Sequence, residues 1–187
     1  MNWYTIKQLR DMGIRVLGNN IKISNKTSIY NPTNIILHDN IRIDDFCILS
    51  AKGPIEINNF IHIGSHVLIS SSKRIELHNF CGIASGSKLY GSNDDYSGVA
   101  LLGPTVPEYL RQIKDGQIIC EEYSSIGAGS IVLPDVVLSR GSILGTLSVL
   151  KKTTEPWTIY GGNPAKILKK REKDCIQLGE RLRDQLI

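Results

Sequence analysis

Aliphatic residues return at every sixth position along most of this chain, and few architectures satisfy that spacing. Aligned at Leu17, Leu37, Ile57 and Leu77, the sequence repeats every 20 residues, with Leu17, Ile23, Ile29; Leu37, Ile43, Leu49; Ile57, Ile63, Ile69; and Leu77, Ile83, Leu89 in register. After an interruption the beat resumes at Cys120, Ile126, Val132, Leu138, Leu144 and Leu150. The fifth residue of each hexad is small or branched, as at Ile21, Thr27, Thr33, Cys47, Gly53, Val67, Ser87, Ser130 and Ser148, with only Lys73 and Asn93 departing. Strict alternation gives a period of two and an amphipathic helix gives 3.6, so neither produces this beat. A short strand followed by a bend does. Three such walls close a triangular coil, with first and fifth residues pointing into the prism. The first three units carry two extra residues after the third hexad, which a bulge at one recurring corner can hold. Six coils stacked at the strand spacing make a parallel β-helix roughly 30 Å long.

Three segments lie outside the beat. Residues 4–12 form a short helix capping the first coil, within a capping segment over 1–16. The coil domain covers 17–155, with an insertion over 90–119, and 156–187 form a basic tail. Its last part places Ile176, Leu178, Leu182 and Leu186 on a helical stripe. The insertion holds DDYSG and GPTVPEYL, and a loop that long in a regular solenoid is usually functional.

The 187 residues are 41% hydrophobic and 21% charged, which excludes disorder for most of the chain. No apolar run is long enough to span a membrane, and the first residues lack the pattern of a secretory signal, so the expected compartment is the cytoplasm. Four isolated cysteines, Cys47, Cys81, Cys120 and Cys175, form no CxxC pair and read as reduced structural thiols. The net charge of +4 resides beyond residue 150, where nine Lys/Arg face five Asp/Glu. Such a local surplus suits a small phosphorylated ligand better than a nucleic-acid groove.

The hexads, including IGAGSI at 126–131, followed by WTIYGGNPAKILKKR, resemble the hexapeptide-repeat acyltransferases. Within them, DDYSG followed by GPTVPEYL is similar to bacterial sugar O-acetyltransferases of polysaccharide biosynthesis. The resemblance implies a left-handed β-helix, a homotrimer with active sites between neighbouring prisms, and acetyl-CoA as co-substrate. Gly127 and Gly145 stand one 18-residue coil apart, so a strip of wall lacks side chains. A pantetheine arm could lie there and bond the backbone near Gly127, Ala128, Gly145 and Thr146. Lys151, Lys152, Lys166, Lys169, Lys170 and Arg171 could meet the CoA phosphates. The alternatives are wall geometry for the glycines and a solvated face for the charges.

Acetyl transfer to a hydroxyl needs a base. His38 and His78 fall on a polar outer wall. His62 and His66 point outward with a glycine in the next coil, Gly82 and Gly86, leaving room for an acceptor, and His62 is favoured over His66. In many relatives a catalytic His follows Leu-Tyr; here LYGSND places Asp94 at that point. Either Asp94 is itself the base, or the DDYSG loop orients a His from an adjacent wall, the second being preferred. Asp94, Asp95 and Tyr96 are the candidate acceptor-binding residues.

The leading expectation is an acetyl-CoA-dependent O-acetyltransferase acting on a sugar hydroxyl in bacterial O-antigen, capsule or exopolysaccharide synthesis. The acceptor is a sugar, a sugar nucleotide or a lipid-linked saccharide. The alternative is N-acetylation of a nucleotide-linked amino sugar. A γ-carbonic-anhydrase-like metalloenzyme, with zinc held by His62, His66 and His78, and a non-catalytic scaffold are weaker readings.

Overall fold

Residues 2–185 of the computed structural model are described. The chain winds into a three-walled parallel β-helix. The first wall stacks Arg15–Val16, Ile35–Leu37, Ile55–Ile57, Ile75–Leu77, Ile118–Cys120 and Val136–Leu138. The second runs from Ile21–Ile23 through Ile61–Ile63 to Ile143–Leu144 and gains a seventh parallel rung at Thr158–Gly161. The third runs from Ser28–Tyr30 to Val149–Leu150. Registry is set by like residues: Ile41 pairs with Ile61, Ile43 with Ile63 and then Ile83, and Leu49 with Ile69.

The core is the interior of the prism, where Ile43, Leu49, Ile57, Ile63, Ile69, Leu77 and Leu89 are fully buried. Each such side chain contributes on the order of 1.5–3 kcal/mol by leaving water. Fifth-position residues Thr27, Cys47, Val67, Ser87, Ser130 and Ser148 are buried beside them. Burial raises the thiol pKa of Cys81 to about 11 and that of Cys120 well above its ordinary value, so both are inert packing groups.

Two positions of the beat need correction. Leu17 is 58% exposed, because Val16 is the residue that pairs with Leu37 and takes the inward place. Thr33 is also exposed, since the two extra residues per coil hand its inward role to Ile35, as Lys73 yields to Ile75. The extra residues form the recurring corner, seen in the Ala51–Ser71 pairing.

The corner between the first and second walls is turned by residues in the left-handed region, among them Asn20, Asn40, Phe60, Phe80 and Tyr123. Left-handed backbone costs a non-glycine residue about 1–2 kcal/mol. Stacking offsets it: the rings of Phe60 and Phe80 lie 4.9 Å apart and those of Phe80 and Tyr123 5.1 Å. Trp157 continues the column 6.2 Å beyond Tyr123 because Gly141 leaves the intervening place empty; a Cβ there would meet the indole at 2.5 Å.

Helix α1 (Ile6–Asp11) starts at a capping box between Thr5 and Gln8 and buries Leu9 against the first coil. At the other end, Lys166–Lys170 folds back antiparallel onto Thr158–Gly161, and helix α2 (Cys175–Asp184) follows. Helix α2 sets Gly179 against the Tyr123 ring, while Leu178 remains 62% exposed, so its apolar stripe is only partly covered. Leu186, assigned to that stripe from the sequence, lies outside the described residues. The insertion is a hairpin, Ser92–Asp94 against Ile113–Asp115, carrying a loop. Among the described residues no helix is long and apolar enough to cross a membrane.

Candidate active site

Two groups of the expected site residues occupy different faces of the prism. His62 stands mid-strand on the second wall in the column Lys22, Arg42, His62, Gly82, Ser125. Its Nε2 meets Asp44 Oδ2 at 2.8 Å, and the other oxygen of Asp44 accepts from Arg42 Nε at 2.8 Å. Partial burial works to raise the Asp44 pKa, but the hydrogen bonds from His62 and Arg42 outweigh it and hold the carboxyl below its ordinary range. An ionised carboxylate can only accept, so Nε2 carries a proton and donates it in the hydrogen bond to Asp44. Asp44 was missed by sequence reasoning. The visible signal is its place two residues after Arg42 in a column that continues to His62.

His66 sits at the corner between the second and third walls in the left-handed region, its ring 5.1 Å from Phe46. Gly86 and Gly129 continue that corner as a bare strip, ending at exposed Leu147. His38 and His78 belong to the first wall, where they meet Glu56 at 3.1 Å and Glu76 at 3.3 Å. Among the described residues no three His, Cys, Asp or Glu gather as metal ligands.

Asp94 leaves the third wall on the insertion hairpin. Its Oδ1 accepts from Arg111 Nη2 at 3.1 Å and its Oδ2 from the Gly103 amide at 3.2 Å. No hydrogen bond joins Asp94 to either imidazole among the described residues, so within one chain the loop orients no His, and the carboxylate partner of His62 is Asp44. Asp95 closes a local turn through the Ser97 amide and hydroxyl at 3.0 and 2.9 Å, and those bonds lower its pKa. Tyr96 is 72% exposed, its hydroxyl donating to Asn93 Oδ1 at 2.9 Å.

The donor residues divide as well. The Gly127 amide donates to Leu144 and that of Gly145 to Tyr160, so both belong to the coil ladder. A Cβ on Gly127 would stand 2.6 Å from the Thr146 nitrogen, which explains that glycine by coil contact alone. The amides of Ala128 and Thr146 make no hydrogen bond among the described residues and flank the bare corner strip, where a pantetheine amide could reach them. Lys170 is engaged by Glu155 at 2.7 Å. Arg171 donates to the carbonyls of Tyr123 and Gly141 at 2.6 and 2.9 Å. These contacts hold the tail against the coil. Lys151, Lys152, Lys166 and Lys169 make no ion pair among the described residues.

Two pockets bring expected residues together. One of about 500 Å³ lies between the insertion and the third wall, lined by Tyr90, Asn93, Tyr96, Ile131, Val149, Lys151 and Asn163. The other, about 530 Å³, opens at the end of the prism and is lined by Lys151, Lys152, Tyr160, Pro164, Ala165 and Lys166. Lys151 lines both, so the pocket that holds Tyr96 and the pocket that holds Lys152 and Lys166 meet at one lysine.

No protein-family model matches the sequence. The chain is 40% identical over 172 residues to the dTDP-4-amino-4,6-dideoxy-D-glucose acyltransferase of Escherichia coli, covering 91% of this chain and 90% of that protein. Its structure matches that of AntD, an N-acyltransferase from Bacillus cereus in complex with dTDP and 3-hydroxybutyryl-CoA, with a TM-score of 0.95, 37% identity, and coverage of 100% of this chain and 99% of that chain. A single-residue variant of AntD in complex with dTDP-4-amino-4,6-dideoxyglucose and coenzyme A gives the same TM-score of 0.95 over 99% of this chain. WbbJ of Escherichia coli, named a putative lipopolysaccharide biosynthesis O-acetyl transferase, is 28% identical over 67 residues, 36% of this chain and 34% of that protein.

Proposed function

Because the chain belongs to the hexapeptide-repeat acyltransferase family, we propose that its donor is an acyl-CoA thioester and its acceptor the amino group of a dTDP-linked amino sugar. One observation carries the choice of acceptor. Similarity to an amino-sugar acyltransferase runs over 91% of the chain, insertion included, whereas similarity to WbbJ covers 36% and that to a chloramphenicol acetyltransferase 40%. The hydroxyl acceptor favoured by the sequence therefore gives way to the amino-sugar alternative.

The site chemistry supports this reading. A hydroxyl is a poor nucleophile until a base removes its proton, so an O-acetyltransferase depends on a well-placed imidazole. A neutral amine attacks a thioester directly and loses its proton from the tetrahedral adduct, for which a carboxylate is sufficient. Asp94, standing where many relatives carry the His, supplies that carboxylate. Its oxygens accept hydrogen bonds from the sugar amine and aim the nitrogen lone pair at the thioester carbonyl. The new C–N bond forms, the C–S bond breaks, the sulfur leaves as the CoA thiolate, and the amine proton passes through Asp94 to solvent or the thiolate. Free amides such as those of Ala128 and Thr146 hold the pantetheine arm, and Lys151, Lys152, Lys166 and Lys169 meet the phosphates.

The family resemblance supports a homotrimer with the site between neighbouring prisms, where His62 on the second wall of one chain and Asp94 beyond the third wall of the next would face the same cleft. The product, an acylated nucleotide sugar, is an activated glycosyl donor, so a glycosyl transfer into a surface polysaccharide would consume it, in the cytoplasm where both substrates are made. Incubation with dTDP-4-amino-4,6-dideoxyglucose and either acetyl-CoA or 3-hydroxybutyryl-CoA tests the reading: thiol release with an amide product supports it. Release only with hydroxyl acceptors would return the function to O-acetylation.

A further inference from the structure

We infer that Arg111 is the positioning residue for the acceptor-binding carboxylate, fixing Asp94 so that its unused lone pairs face the sugar amine. The inference rests on the reading of Asp94 given above. The hairpin Ser92–Asp94 with Ile113–Asp115, and the bridge between Leu101 and Arg111, return the chain so that Arg111 falls on Asp94 from 17 residues away. Its Nη2 donates to Oδ1 while the Gly103 amide donates to Oδ2. With one donor on each oxygen, the carboxylate plane is set and cannot swing about its side-chain torsions. One further acceptor direction on each oxygen stays open.

The Arg111 side chain is only 17% exposed, and its Nε–H is buried without a hydrogen-bond partner among the described residues. Leaving a buried donor of a charged group unsatisfied is costly, and a loop that needed only closure would not retain it. Closure is provided elsewhere, by the strand pairing of the hairpin and by Ser72, whose hydroxyl donates to Asp115 at 2.7 Å. What the buried guanidinium adds is control of a single carboxylate. Such a local violation is expected where function, and not folding, dictates the residue. Asp95, next along the chain, shows the contrast: it spends its oxygens on Ser97 in its own turn and makes no ion pair among the described residues.

Arg111→Gln and Arg111→Lys in the full chain test the assignment by steady-state kinetics with an amino-sugar nucleotide and acyl-CoA. Expected for Gln is a rise of about tenfold or more in acceptor KM, with acyl-CoA KM and melting temperature essentially unchanged. Lys keeps a cation on Oδ1 and should recover at least about half of the lost kcat/KM. An unchanged acceptor KM, equal rises in both KM values, or no recovery by Lys overturns the inference. If Arg111→Gln does not fold, Arg111→Lys decides alone: a selective rise of about two- to fivefold in acceptor KM supports it, and wild-type values overturn it. A wild-type chain that turns over no amino sugar removes the functional reading and this inference together. An active wild type with an indifferent Arg111 removes only the inference.

Discussion

His62 and Asp44 form a hydrogen-bonded pair at 2.8 Å across one coil of the second wall. Such a pair is suited to taking a proton at Nδ1, and whether the enzyme needs it depends on the acceptor. With an amine acceptor oriented by Asp94, His62→Ala should bind acyl-CoA normally and lose less than about tenfold in kcat; with a hydroxyl acceptor the loss should exceed about a hundredfold. Single-turnover rates beside CoA binding isotherms separate the two.

The same carboxylate gives a pH-dependent contribution to stability. Its pKa in the folded chain lies below the unfolded value, so the stabilisation is complete above about pH 4 and disappears as pH falls through the lower folded value. Melting curves of wild type and Asp44→Asn should differ most near neutrality and converge below about pH 4. A constant gap across that range would place the effect elsewhere.

On the proposed reading Asp94 binds the acceptor amine. Asp94→Asn keeps the shape and the Gly103 contact but loses the charge that attracts an amine, and its amide nitrogen can turn a donor toward the substrate. Turnover of the amino sugar should fall about a hundredfold or more in kcat/KM, with acyl-CoA binding preserved. Isothermal titration with CoA beside initial-rate measurements checks both halves.

The coil was legible because its side chains are arithmetic: Ile43, Ile63 and Ile83 stack at 20-residue intervals and so announce each other in the sequence. Leu17 misled because the first coil holds one more residue before its corner, and Gly18 turns that residue out; a Cβ on Gly18 would strike the backbone of His38 at 2.5 Å. The site was less legible, for a different reason. Asp44 and His62 meet on a diagonal, 18 positions apart, and not along the 20-residue column. Arg111 reaches Asp94 through an irregular loop with no period at all. Lys170 and Arg171 look from sequence like their free neighbours, and only the antiparallel return of the tail distinguishes them.

Gly141 is the place where the aromatic column is most sensitive. Its φ is +68°, and a methyl group would overlap the Trp157 indole. Gly141→Ala should lower stability by about 2–4 kcal/mol, by adding left-handed strain to a clash that displaces Trp157 and loosens the tail. Chemical denaturation with tryptophan fluorescence would show the shifted midpoint; a wild-type midpoint would mean the ring moves freely.

The proposed site between neighbouring prisms predicts an assembly of three chains. Sedimentation equilibrium at micromolar concentration should return three times the mass of the 20.8 kDa chain. A monomer that retains full activity would mean that the site is complete within one chain.

The most direct test of the account is the chemical identity of the acylated product. Supplied with acyl-CoA and matched dTDP-sugars bearing either an amino or a hydroxyl group at the acceptor carbon, the enzyme should acylate the amine, giving a product heavier by one acyl group that survives mild alkali as an amide. An alkali-labile ester formed on the hydroxyl sugar, with the amino sugar left untouched, would contradict it.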